Sequence, residues 1–90
     1  MINDRVPRRV DSFILEQFDD EILLLNVSKD EAIYLNSTAT MIWSLCDGEH
    51  TVSKMFSLIA SEYPDDAANV EQDLYQILQT LSRHGTIELT

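Results

Sequence analysis

The segment from Tyr34 to Gly48 constrains the fold of this chain more than any other part of the sequence. Its first two residues close a run of strand-forming residues, and Asn36 or Ser37 can cap the following helix by accepting hydrogen bonds from its unpaired amide groups. Apolar residues then recur at helical spacing as far as Cys46, and Gly48 can adopt the left-handed conformation that ends a helix. The segment therefore predicts a strand joined directly to a short, capped helix over Ser37–Cys46.

Three apolar runs that precede this helix are separated by turn residues. They are predicted as strands over Val10–Phe18, Glu21–Val27 and Glu31–Leu35, with turns at Asp19–Asp20 and Ser28–Asp30. Connections this short favour an antiparallel meander. The second run is apolar at nearly every position, so both faces of the predicted sheet are apolar. Such a sheet is either enclosed between two layers or keeps one face for a partner.

The remaining sequence has the periodicity of helices. Thr51 opens a second helix that ends before Pro64, and a third helix is predicted over Ala67–Arg83 with Asp65–Asp66 as its caps. Gly85 ends the third helix, and a short extended tail follows it. We therefore predict an α+β, winged-helix-like fold in which a three-stranded antiparallel sheet is followed by three helices.

The length and charge of the chain limit its size and its partners. Its 90 residues suffice for one small domain, which we expect to span 1–90, with residues 1–9 as a flexible arm. The net charge of −10 disfavours binding to phosphate backbones or anionic lipid surfaces. The single cysteine excludes an intramolecular disulfide, and no signal peptide or bilayer-spanning apolar run is recognisable. We expect a cytoplasmic protein without nucleic-acid or membrane partners.

No reactive constellation of side chains is recognisable in the sequence. His50 and His84 lack partner motifs, and Cys46 is best explained as a small buried apolar residue. Cys46 and His50 together offer fewer ligands than a structural zinc site requires. Two glycines cannot build a glycine-rich phosphate loop. We therefore expect a protein that is not an enzyme, with no catalytic residues, no metal site and no cofactor.

Nucleic-acid binding is an alternative function, because the predicted order of elements resembles a winged helix with the third helix as recognition helix. The exposed face of that helix would present Glu71, Gln72, Asp73 and Gln76. Only Arg83 at its end is basic, whereas several bases are needed to neutralise several phosphates. A winged-helix regulator is therefore less favoured. A subunit that stabilises a larger enzyme without binding peptide is a third possibility.

The order and spacing of these residues resemble the PqqD-like family, whose members are also called RiPP recognition elements. The resemblance covers about Arg8 to Leu89. The residues that carry it are Tyr34-Leu35-Asn36, Ala39, Ile42-Trp43, Leu45-Cys46-Asp47-Gly48, Thr51-Val52, Leu58-Ile59, Tyr63, Val70, Asp73, Leu74, Leu78, Leu81, Gly85 and Ile87. The chain lacks the proline-rich approach to the third strand that is associated with PqqD of the quinone-cofactor pathway. In this respect it is more similar to stand-alone relatives that serve lasso peptides and other modified peptides.

The resemblance implies that the chain binds leader peptides. Family members hold the leader of a ribosomally synthesised precursor peptide and present it to a modifying enzyme such as a radical-SAM enzyme, a protease or a cyclase. In those relatives the leader lies as an added strand against the third strand, in a groove walled by the third helix. Carried over to this chain, the peptide-binding residues are Glu31, Ala32, Ile33, Tyr34, Leu35, Val70, Asp73, Leu74 and Ile77. A homodimer is possible, and the precursor peptide is not specified.

Several of these residues allow more than one interpretation. Leu74 and Ile77 are explained equally well as core residues of an amphipathic helix, and Asp73 as a solvated acid or as a partner for a basic leader residue. Neighbouring residues of a strand point to opposite faces, so Ile33 and Tyr34 cannot both face the helices. We expect Ile33 to face the groove and Tyr34 to point away from it.

Overall fold

The computed structural model describes residues 4–89, which form two small sheets and three α-helices. The strands are β1 (Pro7–Arg9), β2 (Ile14–Phe18), β3 (Glu21–Asn26), β4 (Glu31–Leu35) and β5 (Ile87–Leu89), and the helices are α1 (Ser37–Leu45), α2 (Val52–Glu62) and α3 (Ala67–Arg83). An antiparallel sheet with the order β2-β3-β4 places β4 at one edge. The α+β fold expected from the sequence, a three-stranded antiparallel sheet followed by three helices, is confirmed.

Tight turns define the register of this sheet. Asp19 and Asp30 occupy the turns on either side of β3 with φ angles of 56° and 53°, a left-handed conformation that aspartate tolerates better than most residues. The resulting register pairs Leu24 of β3 with Leu15 of β2 and with Ile33 of β4. Leu24 is therefore central in the sheet, and its side chain is fully buried.

The core lies between one face of this sheet and the helices. Its buried side chains come from the sheet, from all three helices and from β5: Ile22, Leu24, Leu35, Ile42, Cys46, Val52, Met55, Ile59, Leu74, Leu78, Leu81 and Ile87. The helical members recur three and four residues apart, as one face of each helix requires. Asn36 caps α1 by accepting a hydrogen bond from the Ala39 amide at 2.9 Å, and Thr51 caps α2 by accepting from the Lys54 amide at 3.1 Å.

The N-terminal segment differs from the expected flexible arm. Residues 7–9 form β1, which pairs antiparallel with β5, the segment expected to be an extended tail. The Gly48 amide also donates to the Pro7 carbonyl, and the Arg9 amide to the Cys46 carbonyl, each at 2.9 Å. These bonds fix β1 between β5 and the loop after α1. Residues 1–3 of the predicted arm lie outside the described residues, and the strand expected from Val10 begins only at Ile14.

The predicted capping of α3 by Asp65–Asp66 also differs from the structure. Pro64–Asp66 forms a turn of 3-10 helix, and the Asp66 side chain accepts no hydrogen bond from the backbone of α3. Its carboxylate instead accepts from the side-chain amide of Asn69 at 2.6 Å. Pro64 opens this short turn, where its missing N–H costs no hydrogen bond.

Arg9 attaches β1 to the end of α1. Its guanidinium lies over the Trp43 ring, 5.3 Å from the ring centroid, and donates a 2.6 Å hydrogen bond to the Ser44 carbonyl. The last carbonyls of a helix have no partner within the helix, so this bond satisfies one of them. Trp43 itself is partly buried against the core. Arg9 thus stabilises the helix end and covers the indole ring at the same time.

Asp47 organises the loop between α1 and α2. Its carboxylate accepts hydrogen bonds from the backbone amides of Glu49 at 2.9 Å and His50 at 3.1 Å, and it lies 2.9 Å from Nδ1 of the His50 ring. The side-chain hydrogen bond from His50, followed by the Glu49 amide, lowers the pKa of Asp47 to about 2. The ionised carboxylate therefore stabilises this loop.

We expect this contribution to disappear in acid. A carboxyl whose folded pKa is depressed stabilises the fold above its ordinary pKa of 3.8, and the effect is lost as the pH falls toward 2. Asp47→Asn, which keeps a hydrogen-bond acceptor but not the charge, should reduce the pH dependence of the free energy of unfolding in this window. The measurement is urea unfolding at a series of acid pH values, with the exposed Glu62→Gln as control. An unchanged acid slope in Asp47→Asn would contradict this role.

Candidate functional site

A groove of about 370 Å³ runs between β4 and the C-terminal half of α3. Its lining residues are Ala32, Ile33, Tyr34, Leu35, Asn36, Ala39, Ile77, Thr80, Leu81 and His84. The strand, the start of α1 and two turns of α3 therefore share one depression. Most of these residues are apolar. Asn36, Thr80 and His84 are polar, and Tyr34, whose side chain lies on the other face of the sheet, belongs to the lining as part of β4.

The backbone of β4 forms one side of this groove. β4 pairs with β3 along one edge, and no other strand within residues 4–89 pairs with it. An edge strand presents a row of N–H and C=O groups that an added strand can satisfy. Because the groove runs along the same strand, a peptide bonded to β4 would place every second side chain in the groove.

The side chains of β4 alternate between its two faces. Leu35 is buried, and Ile33 packs partly buried against the core, so both face the helices. Tyr34 is 60% exposed and points away from them. The interaction of its hydroxyl with the Glu21 carboxylate raises the pKa of Tyr34.

The four helix residues expected at the site do not lie together. Ile77 lines the groove beside β4, whereas Leu74 is fully buried in the core. Val70 and Asp73 instead line a separate depression of about 180 Å³ that also involves α1 and α2. Helical spacing places residues on one face of α3, but it does not show which part of that face approaches β4. The structure shows that residues from Ile77 onward do.

Sequence reasoning missed five residues that line the groove: Asn36, Ala39, Thr80, Leu81 and His84. Thr80, Leu81 and His84 follow Ile77 at spacings of three, four and seven residues, so they continue its row on the helix surface. Extending the periodicity of α3 by two turns would have included them. Asn36 is expected only as a cap of α1, and Ala39 only among the residues that carry the family resemblance.

Leu74 and Ile77 are therefore expected to differ in their effects on stability. Leu74→Ala should lower the free energy of unfolding by about 2–5 kcal/mol, because it leaves a cavity at a fully buried site. Ile77→Ala should cost clearly less, since Ile77 is only partly buried at the groove. Urea unfolding monitored by the fluorescence of Trp43 measures both values. Equal losses would contradict the distinct positions of the two residues.

The described residues offer little reactive chemistry. Cys46 is fully buried, and burial raises the pKa of its thiol to about 12, so the nucleophilic thiolate is scarce near neutral pH. Within residues 4–89, no three His, Cys, Asp or Glu side chains are placed to hold a metal ion. None of the helices in that range combines the length and apolarity needed to cross a membrane. What the groove does offer is backbone hydrogen bonding and apolar contact for an extended segment.

An edge strand beside an apolar groove is the geometry of modules that bind peptides by strand addition. Comparison with known proteins agrees with this class. Residues 21–87 match the family described as coenzyme PQQ synthesis protein D, PqqD. The match spans most of the sequence, and the chain belongs to the PqqD family, as its resemblance to that family indicated.

Individual relatives are 23–34% identical to this chain. The PqqA binding protein of Methylococcus capsulatus is 34% identical over 55 residues, which are 61% of this chain. The matched region spans 57% of the length of that relative. A solved structure of TbiB1 in complex with the TbiA(beta) leader peptide is 27% identical, with a TM-score of 0.76 over 90% of this chain and 94% of that chain. A lasso peptide synthetase B1 complexed with its leader peptide is 23% identical, with a TM-score of 0.77 over 92% and 98% of the two chains, and shows the same fold.

Proposed function

We propose that this chain binds the leader segment of a ribosomally synthesised precursor peptide by strand addition at β4, and presents the precursor to a modifying enzyme. The observation that carries the proposal is the edge of β4 beside an apolar groove that reaches Ile77 of α3. Membership of the PqqD family supports it. So does the likeness over 90% of the chain to TbiB1, whose structure contains a leader peptide.

In this arrangement, the backbone and the side chains would make different contributions to leader binding. Residues 31–35 would bond the leader through their outward N–H and C=O groups, which gives affinity with little dependence on sequence. Ile33 and Ile77, which are partly buried at the groove, would contact every second leader side chain, and burial of one large apolar side chain contributes about 1.5–3 kcal/mol. Selectivity for the leader then resides in the groove. Leu74 would act only by supporting the groove from the core.

Val70 and Asp73 would not contact the added strand directly. Both lie at the depression between α1, α2 and α3, away from the lining of the β4 groove. A leader confined to β4 would leave them uncovered. We therefore assign the direct contacts of the added strand to β4 and to the part of α3 that begins at Ile77.

The chain would act without catalysing a reaction itself. The groove is lined by backbone, aliphatic side chains and four polar residues that lack the arrangement of a nucleophile with its base. The chemistry would belong to the partner enzyme, such as a radical-SAM enzyme, a protease or a cyclase, in the cytoplasm where ribosomal peptides are made. A net charge of −10 makes duplex DNA a much poorer ligand than a peptide.

Binding of a leader should slow amide hydrogen exchange in β4. An added strand would engage the outward amides of residues 31–35, and contact with the groove would reduce local opening of α3 from Ile77 onward. The measurement is hydrogen exchange with and without a synthetic leader peptide, with α2 as internal control. Protection confined to α1 and α2 would contradict strand addition at β4.

Charged substitutions should separate the two faces of β4. Ile33→Asp should reduce leader affinity by at least about tenfold, because the carboxylate would be desolvated beside the apolar groove. Tyr34→Asp should keep most of the affinity, since Tyr34 points away from the helices. Fluorescence polarisation of a labelled leader gives the affinities, and circular dichroism shows whether each variant is folded. Wild-type affinity in both folded variants would exclude this edge as the binding site, and titration with duplex DNA tests the alternative ligand.

A further inference from the structure

The sheet face opposite the core carries a cluster of exposed apolar side chains. The register aligns Ile14, Leu25 and Ala32 in one row across the three strands, and Glu16, Leu23 and Tyr34 in the next. Phe18 follows on the same face of β2. Ile14 is 54% exposed, Phe18 55% and Tyr34 60%, with Leu23 and Leu25 half-buried between them. We call Ile14, Phe18, Leu23, Leu25 and Tyr34 the outer patch.

The outer patch is more than scattered surface hydrophobicity. Its members occupy neighbouring rows of three adjacent strands, so they form one continuous surface. The opposite face of β3 and β4 is already buried against the helices, whereas Leu15 on that face of β2 is still 44% exposed. Clustered apolar side chains that are more than half exposed mark sites where another macromolecule docks.

The charges around the outer patch restrict the occupant. Glu16 lies within it, Glu21 pairs with Phe18, and Asp19–Asp20 form the adjacent turn, so its rim at that end is acidic. A second copy of this chain would bring the same carboxylates face to face, and an anionic membrane would be repelled. The chemistry fits a protein surface with an apolar centre flanked by lysine or arginine.

The outer patch is continuous with the leader site, because both include β4. In an added strand, the side chains that do not enter the groove point to the other face. They would stand beside Ala32 and Tyr34 and extend the outer patch onto a fourth strand. The surface offered to a partner would then consist of this chain and of the leader together.

Resting on the proposed function, we propose that the outer patch docks the modifying enzyme through an apolar, basic-rimmed surface of that enzyme, and that the bound leader completes the docking surface. The enzyme then binds the leader-loaded chain more tightly than the empty chain. By linkage, the enzyme also tightens leader binding by the same factor. This coupling would direct the enzyme to chains that carry a precursor.

The test uses the full chain, a synthetic fluorescein-labelled leader and the purified enzyme that modifies the corresponding precursor. Leader affinity comes from fluorescence polarisation, and enzyme affinity from biolayer interferometry with and without saturating leader. The double variant Ile14→Ser/Phe18→Ser should retain leader affinity and lose enzyme affinity by about tenfold or more, as for residues central to an interface. Leu58→Ser, on α2 and 38% exposed, is the matched apolar control and should change neither.

A second pair of variants tests the charges and remains informative if the double variant is unstable. Glu16→Lys should weaken enzyme binding most at low ionic strength, whereas Glu62→Lys on α2 should not. If the double variant and Glu16→Lys both bind the leader and also bind the enzyme with wild-type affinity, the assignment of the outer patch is overturned. Equal enzyme affinity with and without leader would overturn the composite surface.

Two further outcomes would contradict either the proposed function of the groove or the proposed occupant of the outer patch. Failure of the wild-type chain to bind any leader would contradict the proposed function itself, and is seen in the polarisation experiment before any enzyme is added. Self-association of the wild-type chain in sedimentation velocity, lost in Ile14→Ser/Phe18→Ser, would assign the outer patch to a second copy and overturn the enzyme as its occupant.

Discussion

The alternation of side chains along β3 is the constraint on which the rest of the structure depends. β3 pairs with both neighbouring strands, so every side chain of the sheet takes its face from the register of β3. Ile22 and Leu24 point into the core, and Leu23 and Leu25 point the other way. A slip of one residue would exchange these faces, but both faces would remain apolar. The two tight turns that flank β3 therefore matter more here than in a sheet with one polar face.

The direct junction between β4 and α1 converts this sheet into a groove. Asn36 ends the strand and caps the helix, and the Thr40 hydroxyl donates to the Leu35 carbonyl at 3.1 Å. The chain therefore turns away immediately after β4, and Ala39 in the first turn of α1 lines the groove. The α1–α3 packing then places Ile77 opposite the strand. The same core that stabilises the domain therefore holds the edge strand β4 and Ile77 of α3 on opposite sides of the groove.

Local signals in the sequence were sufficient for most of the elements, but not for contacts between distant segments. The strand runs, the caps Asn36 and Thr51 and the amphipathic stripe of α3 each depend on neighbouring residues, and the structure contains them all. Pairing of residues 7–9 with β5 joins the two ends of the described chain and has no local pattern. The same limit applies to Asp73, because periodicity gives a helix face but not its neighbour, and Asp73 lines the depression between α1, α2 and α3.

An unpaired strand edge next to an apolar surface invites self-association, and charge is the means by which this chain opposes it. Edge strands in monomeric proteins are protected by bulges, prolines or charges. β4 begins with Glu31 and contains no proline, so protection falls to the overall charge of −10 and to acids such as Glu16 and Glu21 near the outer patch. The same charge attracts a peptide or protein that carries lysine or arginine. One electrostatic property thus disfavours pairing between identical copies and favours pairing with a basic partner, which is the discrimination that the proposed presentation of a leader peptide would require.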